Sequence, residues 1–459
     1  MTEGTLVRGA HVLTSSGAGD IVDGAVRIVG ERIDALGPWE ELSARFPQDR
    51  VSGDATALVT AGFVNAHGHF SEGLLTGIGE RFTLWEWVDA LIGPVAPHLD
   101  DEMAYVGTLL AGIQMLRTGI TLANDMFVCD PVGDRPVTPG VVRALDELGL
   151  RGVVCLGAGD RRPGVTLSAL MREHEELASA AASSRLSRFR VGVVSVAAQS
   201  EELFAESLRM ARDEGVGIHI HLQEVREEVT AVRTRLGVSP IQHCVRTGLF
   251  ERPTIAAHCV WIDDSDMDAL VAHGVGVAHN PVSNMILASG VCPVADLRGR
   301  GVPVGVGVDG PASNDRQDML EAIKTSVLLQ RVNKLQATAL SARDALSMAT
   351  VDGARALGLE EELGSLEVGK AADLVVFDGR SPALANIHDP YQAVVYCAGP
   401  REIAEVWVAG RQVVIGGEVT TVDTSDVVER SRPLAHDLVV RAGLGRLSGL
   451  AGSAGEPDT

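Results

Sequence analysis

VTAGFVNAHGH (residues 59–69) begins as a run of small and β-branched apolar residues and ends in two histidines, His67 and His69, two positions apart. Side chains alternate across a strand, so both imidazoles face the same way. The stretch also divides the chain. Before it, residues 1–58 read as short strands broken by glycine turns, as in TLVRGAHVLT and DGAVRIVGERIDALG. The same texture returns late, in GKAADLVVFDG and EVWVAGRQVVIGGEV. After it, apolar runs alternate with amphipathic helical stretches.

Seven further runs read as buried strands: TLANDMFV (121–128), RGVVCLGAG (151–159), RVGVVSVAA (190–198), VGIHIHLQE (216–224), TIAAHCV (254–260), VGVAHNPVSN (275–284) and VPVGVGVDG (302–310). Helical patterns at 101–118, 138–149, 166–184, 201–214 and 316–331 separate most of them. Eight strands alternating with helices predict an α/β fold of the (β/α)8 TIM barrel type. A doubly wound sheet fits less well, because no Gly-rich dinucleotide fingerprint is present. The expected organisation is a small β-sandwich-like domain from both chain ends (1–58 plus 360–425), a barrel over 59–359, and a C-terminal helix with a flexible tail over 426–459.

Composition narrows the partners. The formal charge of −22 argues against nucleic acid and anionic membrane surfaces. Aromatic residues make up 4% of a chain that is 46% hydrophobic, so aliphatic residues and alanine must fill the core. The start MTEGTLVRGA lacks the features of a signal peptide, and no run of eighteen apolar residues occurs. The six cysteines are scattered singly, which fits free thiols in the cytoplasm.

Polar residues collect at the C-terminal ends of particular strands, the face on which barrel active sites sit. They are His67 and His69 on the first, His221 and Glu224 on the fifth, His258 on the sixth and Asp309 on the eighth. A lone HxH pair is weak evidence, and Asp309 alone could be a turn residue. Together, three imidazoles and a carboxylate make a nitrogen/oxygen ligand set for zinc or a related divalent ion. His219 falls one layer deeper and is expected either to pack in the interior or to lie behind the ligands, and His221 is preferred as the ligand because Glu224 lies three residues beyond it. The chain's only lysines, Lys324, Lys334 and Lys370, lie off the barrel strands, so a lysine-bridged pair of metals has no candidate and one metal per chain is expected. The long connection 70–100 carries Glu72, Trp85 and Trp87 and is expected to shape the site. With Ser195, His279 and Ser313 these are the candidate substrate contacts.

GFVNAHGHF, RTGITLANDM, HIHLQE, AAHCVWID, AHNPVSNMILASGVCPV, GVGVDGPASND and GSLEVGKAADLVVFD together resemble the amidohydrolase superfamily. The resemblance covers nearly the whole chain. It is strongest to the branch of S-adenosylhomocysteine/methylthioadenosine deaminases, 8-oxoguanine deaminases and chlorotriazine hydrolases. It implies His67, His69, His221 and Asp309 as ligands of one metal, zinc first and iron second. Glu224 would be the acid/base, His258 the contact to the attacking water, and Asp309 the group passing a proton to departing ammonia. It also implies a homo-oligomer acting on a small heterocyclic molecule. After the fourth strand this chain reads VVSVAAQS, without the histidine of the adenosine-type members. The expected reaction is therefore deamination of a free amino-substituted N-heterocycle of purine, pterin, pyrimidine or triazine type. A nucleoside deaminase and an amide or halide hydrolase are the alternatives; a non-catalytic scaffold is the least supported, because no ligand position is lost.

Overall fold

A computed structural model of the chain describes residues 3–447 apart from 132 and 134; the end of the expected tail, 448–459, lies outside the described residues. The first strands are β1 (Thr5–Leu13), β2 (Ile21–Val29), β3 (Arg32–Pro38), β4 (Arg50–Gly53) and β5 (Leu58–Ala61). There follow β6 (Phe63–Gly68), β7 (Ile120–Phe127), β8 (Arg151–Leu156), β9 (Ser187–Phe189), β10 (Val191–Ser195), β11 (Ile218–Leu222), β12 (Thr254–His258), β13 (Gly276–His279) and β14 (Val304–Val306). The last are β15 (Leu374–Phe377), β16 (Ile403–Val408), β17 (Arg411–Ile415) and β18 (Glu418–Val419).

The strand expected over 59–69 is two strands. β5 pairs in the sheet of the chain ends and β6 in the barrel. The chain changes sheet at Gly62, whose N–H donates to the Asp373 carbonyl at 2.9 Å. A Cβ at that position would sit 2.2 Å from Thr121 Oγ1, so the close approach requires glycine.

β6 to β14 form the barrel. All their pairings are parallel, in two arcs, β6-β7-β8-β9 and β10-β11-β12-β13-β14. Parallel bridges Ala158↔Val193 and Gly68↔Asp309 join the arcs and close the ring. β9 and β10 are one barrel strand interrupted at Arg190, which leaves eight strands around the ring. Val64, Ala66, Leu122, Val153, Ile255, Ala257 and Ala278, from opposite arcs, pack in one buried cluster with Ala354, Ala356, Leu357, Leu359 and Leu363. Residues from opposite arcs meet only through the interior, so the barrel is filled with small side chains and plugged by segment 354–363. That is where the shortage of aromatic residues is accommodated.

Helices follow the strands close to where the periodicity puts them: Asp101–Arg117, Pro139–Leu148, Leu167–Ser183, Glu201–Asp213 and Met319–Lys334. Asp100, Thr166, Ser200 and Asp318 accept a backbone N–H from the first turn of four of these. The nine strands of the chain ends form one sheet in the order β18-β17-β16-β15-β5-β1-β2-β3, with β4 also on β1. β5 pairs parallel to β1 and antiparallel to β15, and this stitches the two ends together. A final helix, Thr424–Arg441, pairs Arg430 with Glu102 on the Asp101–Arg117 helix. Among the described residues no helix is long and apolar enough to cross a membrane. All six cysteines are unpaired and only Cys397 is exposed.

Candidate active site

The strand ends bring His67, His69, His221, His258, Glu224 and Asp309 to one point. His69 Nε2 and His67 Nε2 each lie 3.4 Å from Asp309 Oδ1, and His69 Nε2 lies 3.2 Å from His221 Nε2. Two sets, His67/His69/Asp309 and His67/His221/His258, have ligand-type atoms all within 4.8 Å of one another.

The far ring nitrogens tell the histidines apart. His69 Nδ1 faces the Met126 carbonyl and His221 Nδ1 the Val194 carbonyl, each at 2.6 Å. Each Nδ1 must therefore carry the hydrogen. Burial, followed by the charge of His67, pushes His69 down to about 4. Burial and the same neighbour hold His221 well below the ordinary imidazole range. Both rings are neutral at pH 7, so two Nε2 lone pairs point at each other across 3.2 Å. His67 Nε2, fully buried, makes no hydrogen bond among the described residues. Three converging lone pairs beside a carboxylate repel one another unless a cation sits among them, and a divalent metal ion fits this cup. His219, one layer deeper, holds the His67 ring from behind, His67 Nδ1 to His219 Nε2 at 2.8 Å.

His258 has the opposite arrangement. Its Nδ1 lies 3.2 Å from Asn280 Nδ2 and 3.0 Å from Asn284 Nδ2. Asn284 Nδ2 is also 3.5 Å from Glu224 Oε1, which turns its amide group toward these two acceptors. With Nδ1 accepting, the hydrogen of His258 is on Nε2, 3.5 Å from Glu224 Oε2 and 4.0 Å from Asp309 Oδ2. Geometry alone counts this ring among possible ligands; its hydrogen bonding makes it a donor.

Glu224 receives Ser289 Oγ on Oε1 at 2.8 Å and leaves Oε2 toward His258. Burial, then the Asp309 carboxylate, push Glu224 well above the usual carboxylate range, which suits a group that takes up a proton and gives it back. Asp309 Oδ2 accepts from Ser283 Oγ at 2.5 Å. Gln223, His258 and Asp309 adopt left-handed backbone, with φ of 51°, 74° and 61°. Such strain in non-glycine residues costs on the order of 1–3 kcal/mol each and clusters where side chains must be aimed.

A cavity of about 740 Å³ opens over this point. Glu72, Trp85, Trp87, Ser195 and Ser313 line it, together with His69, His221, Glu224, His258 and Asp309. His279 does not. It ends β13 fully buried, and among the described residues neither ring nitrogen has a hydrogen-bond partner. Glu72 is buried in the wall and accepts the Ala312 N–H at 2.9 Å. The connection 70–100 folds into short turns; Thr83 and Glu86 cap the one at Leu84–Trp87, which turns Glu86 outward and leaves Trp85 and Trp87 in the wall.

Residues 58–413 match the Amidohydrolase family. The chain belongs to that family. A short stretch, 24–48, also matches a bacterial imidazolonepropionase-like composite domain. This amidohydrolase is 38% identical over 457 residues to a 5-methylthioadenosine/S-adenosylhomocysteine deaminase of Desulforudis audaxviator, covering 95% of this chain and 99% of the relative. It is 36% identical to a 5′-deoxyadenosine deaminase of Methanothermobacter thermautotrophicus, with the same coverage. A zinc-bound adenosine deaminase from Xanthomonas campestris superposes with a TM-score of 0.89 at 28% identity, covering 96% of this chain and all of that one.

Sequence reasoning missed five polar residues of this amidohydrolase's site. Asn280, Ser283, Asn284 and Ser289 sit in the segment after β13 and serve His258, Asp309 and Glu224. Glu228 lines the cavity from the helix Arg226–Leu236. NPVSN held the signal for three of them, since polar residues after a barrel strand face the mouth.

Proposed function

We propose that the chain is a mononuclear metal-dependent deaminase of an amino-substituted N-heterocycle. The observation that carries this reading is the cup of His67, His69, His221 and Asp309, with Glu224 and His258 aimed into it from the other side. The reaction class is hydrolysis of a carbon–nitrogen bond other than a peptide bond, as the family and its deaminase relatives indicate. His67, His69, His221 and Asp309 would hold the metal; zinc is the first expectation, as in the Xanthomonas relative, and iron the second. When bound, such an ion supplies strongly acidified water at neutral pH. Glu224 takes a proton from the attacking water and delivers it to the ring nitrogen beside the carbon under attack. His258 donates its Nε2–H to the incoming oxygen. Asp309, with Oδ1 toward the histidines and Oδ2 toward His258, takes the second proton from the hydroxyl added to the ring carbon and passes it to the amine, so that the C–N bond breaks with release of ammonia and the oxygen stays as the carbonyl.

The cavity volume bears on the substrate. At about 740 Å³ it lies in the range of ~300–1,000 Å³ typical of sites that enclose drug-sized ligands, and a bare purine leaves much of it empty. Leu84, Trp85, Trp87, Ile92 and Pro97 make one wall apolar. The reading favoured here is an aminated heterocycle carrying an extension that lies along this wall. A 5′-modified adenosine, the substrate type named for the relatives, has that shape and is the second reading. Ammonia release separates the cases. Production from 5′-methylthioadenosine, S-adenosylhomocysteine or 5′-deoxyadenosine selects the nucleoside. Production only from aminated purine, pterin, pyrimidine or triazine bases selects the free heterocycle. No ammonia from either group would overturn the deaminase reading in favour of an amide or halide hydrolase. We further propose that residues 1–58 plus 360–425 form a separate small β-domain, and that the enzyme works as a homo-oligomer, which sedimentation velocity tests.

A further inference from the structure

The turn that presents Glu224 is braced by a residue the reaction itself does not use. β11 ends at Leu222, Gln223 turns left-handed at φ 51°, and Glu224 is thereby thrown toward the cavity. Four residues later, in the first turn of the helix Arg226–Leu236, Glu228 folds back on this turn. Its Oε2 accepts the Glu224 N–H at 3.1 Å, and the Gln223 N–H points to the same carboxyl. Glu228 is 3% exposed, and among the described residues its other oxygen has no hydrogen-bond partner. A buried carboxyl left half-satisfied is costly, so it needs a reason to be there. Gln223 is held from the opposite side. Its amide donates to the Trp261 carbonyl at 2.6 Å and to Asp266 Oδ2 at 2.9 Å, and it accepts the Ile241 N–H at 3.2 Å. Its carbonyl accepts from Val260 and Trp261, just past His258.

We propose that Glu228 is a positioning residue for Glu224: by accepting the backbone N–H groups of the left-handed turn, it fixes the direction in which the Glu224 carboxyl enters the site. This rests on the role proposed for Glu224. The requirement is for an acceptor of the right length, not for a charge. Burial raises Glu228 to about 8, so it is largely neutral at pH 7 and still accepts through its carbonyl-like oxygen. A glutamine offers the same acceptor; alanine offers none.

The test compares Glu228→Ala, Glu228→Met and Glu228→Gln in the metal-loaded full chain, with 5′-methylthioadenosine as the first probe and then the best substrate of the ammonia panel. Misplacing a reacting group by about 1 Å costs on the order of 100-fold in rate. The expected result is kcat lower by about 100-fold in Glu228→Ala and Glu228→Met, with KM and metal content unchanged, and recovery to within about fivefold of wild type in Glu228→Gln. A merely structural role would not give that kcat-only loss with rescue by the neutral isostere. Wild-type kcat in Glu228→Ala, or a Glu228→Gln as slow as Glu228→Ala, overturns the proposal. If wild type releases no ammonia from any compound, the deaminase reading has failed, and the inference is then read from crystal structures. A Glu224 carboxyl that moves away in Glu228→Met and stays in Glu228→Gln supports it; one that stays in both overturns it.

Discussion

The floor of the cavity and its wall are built in different ways. The floor stands on strand ends: His67 and His69 near β6, His221 on β11, His258 on β12 and Asp309 after β14, each ring or carboxyl fixed by a named partner. The wall comes from the 70–100 connection, a series of one-turn helices and bends that carries Trp85 and Trp87. A side chain on a barrel strand is held by the closed ladder of pairings. A side chain on short turns is held by local caps, such as the Thr83–Glu86 box, and by contact with the barrel. The floor should therefore carry the chemistry common to the family, and the wall the choice of substrate.

The largest effects should come from the floor. Glu224→Gln keeps the shape and the Ser289 contact but cannot shuttle a proton, and general acid–base contributions run ~10²–10⁴-fold. A fall of that size in kcat is expected, with one metal per chain still measured by elemental analysis. Retained turnover would remove Glu224 from its proposed role, and loss of metal would place it among the ligands. Chelation of wild type should abolish turnover, and re-addition of zinc should restore it.

His258 sharpens the same point. If its Nε2–H donates to the incoming oxygen, His258→Ala should cost ~10²–10³-fold in kcat, the scale of losing one donor to a developing charge. Metal content should hold, whereas His69→Ala should lose it. Equal metal loss in the two variants would show that His258 is a ligand and that the tautomer argument fails.

The floor was legible in the sequence because its residues are rare there and fall at recognisable strand ends. HGH carries two of them, HIHLQE carries His221 and Glu224, and AAHC and VDGPASND carry one each, while alternation supplies the direction. The split of 59–69 was not legible, because β5 and β6 are both buried apolar strands and only the crowding of Thr121 against Gly62 separates them. His279 ends a barrel strand like the others, yet it does not line the cavity over the histidine cluster. The supporting amides and hydroxyls after β13 were hidden because NPVSN reads as the end of a strand over 275–284, whereas the strand stops at His279 and Pro281–Ile286 is a short helix. Glu228 was hidden because a glutamate in the first turn of a helix has a local explanation, its favourable place near the helix dipole.

A smaller effect is expected at the wall. Trp85→Ala removes apolar surface that the substrate's extension would cover, and such a loss in a hydrophobic pocket is worth ~10–200-fold in discrimination. The expected signature is a KM raised about tenfold for an extended substrate, with kcat within about threefold and the ranking of the ammonia panel changed. A drop in kcat with KM unchanged would mean that Trp85 serves the floor, and the division of labour would fail.

Least coupled to activity is His279, which belongs to neither region and titrates instead. Burial holds it near 3, against an ordinary value near 6.5. Between those values the unfolded chain binds a proton that the folded chain refuses, so folding stability is lost as pH falls through that window and is fully present above it. One such group contributes about 2 kcal/mol of loss between pH 7 and pH 5. His279→Leu has no proton to refuse. Urea unfolding at the two pH values should show the difference between variant and wild type moving by about that amount in the variant's favour at pH 5. The other buried histidines keep the overall slope in both proteins. A parallel shift at both pH values would mean that His279 finds a partner in solution, and its two unpaired nitrogens would then need a water or a ligand to explain them.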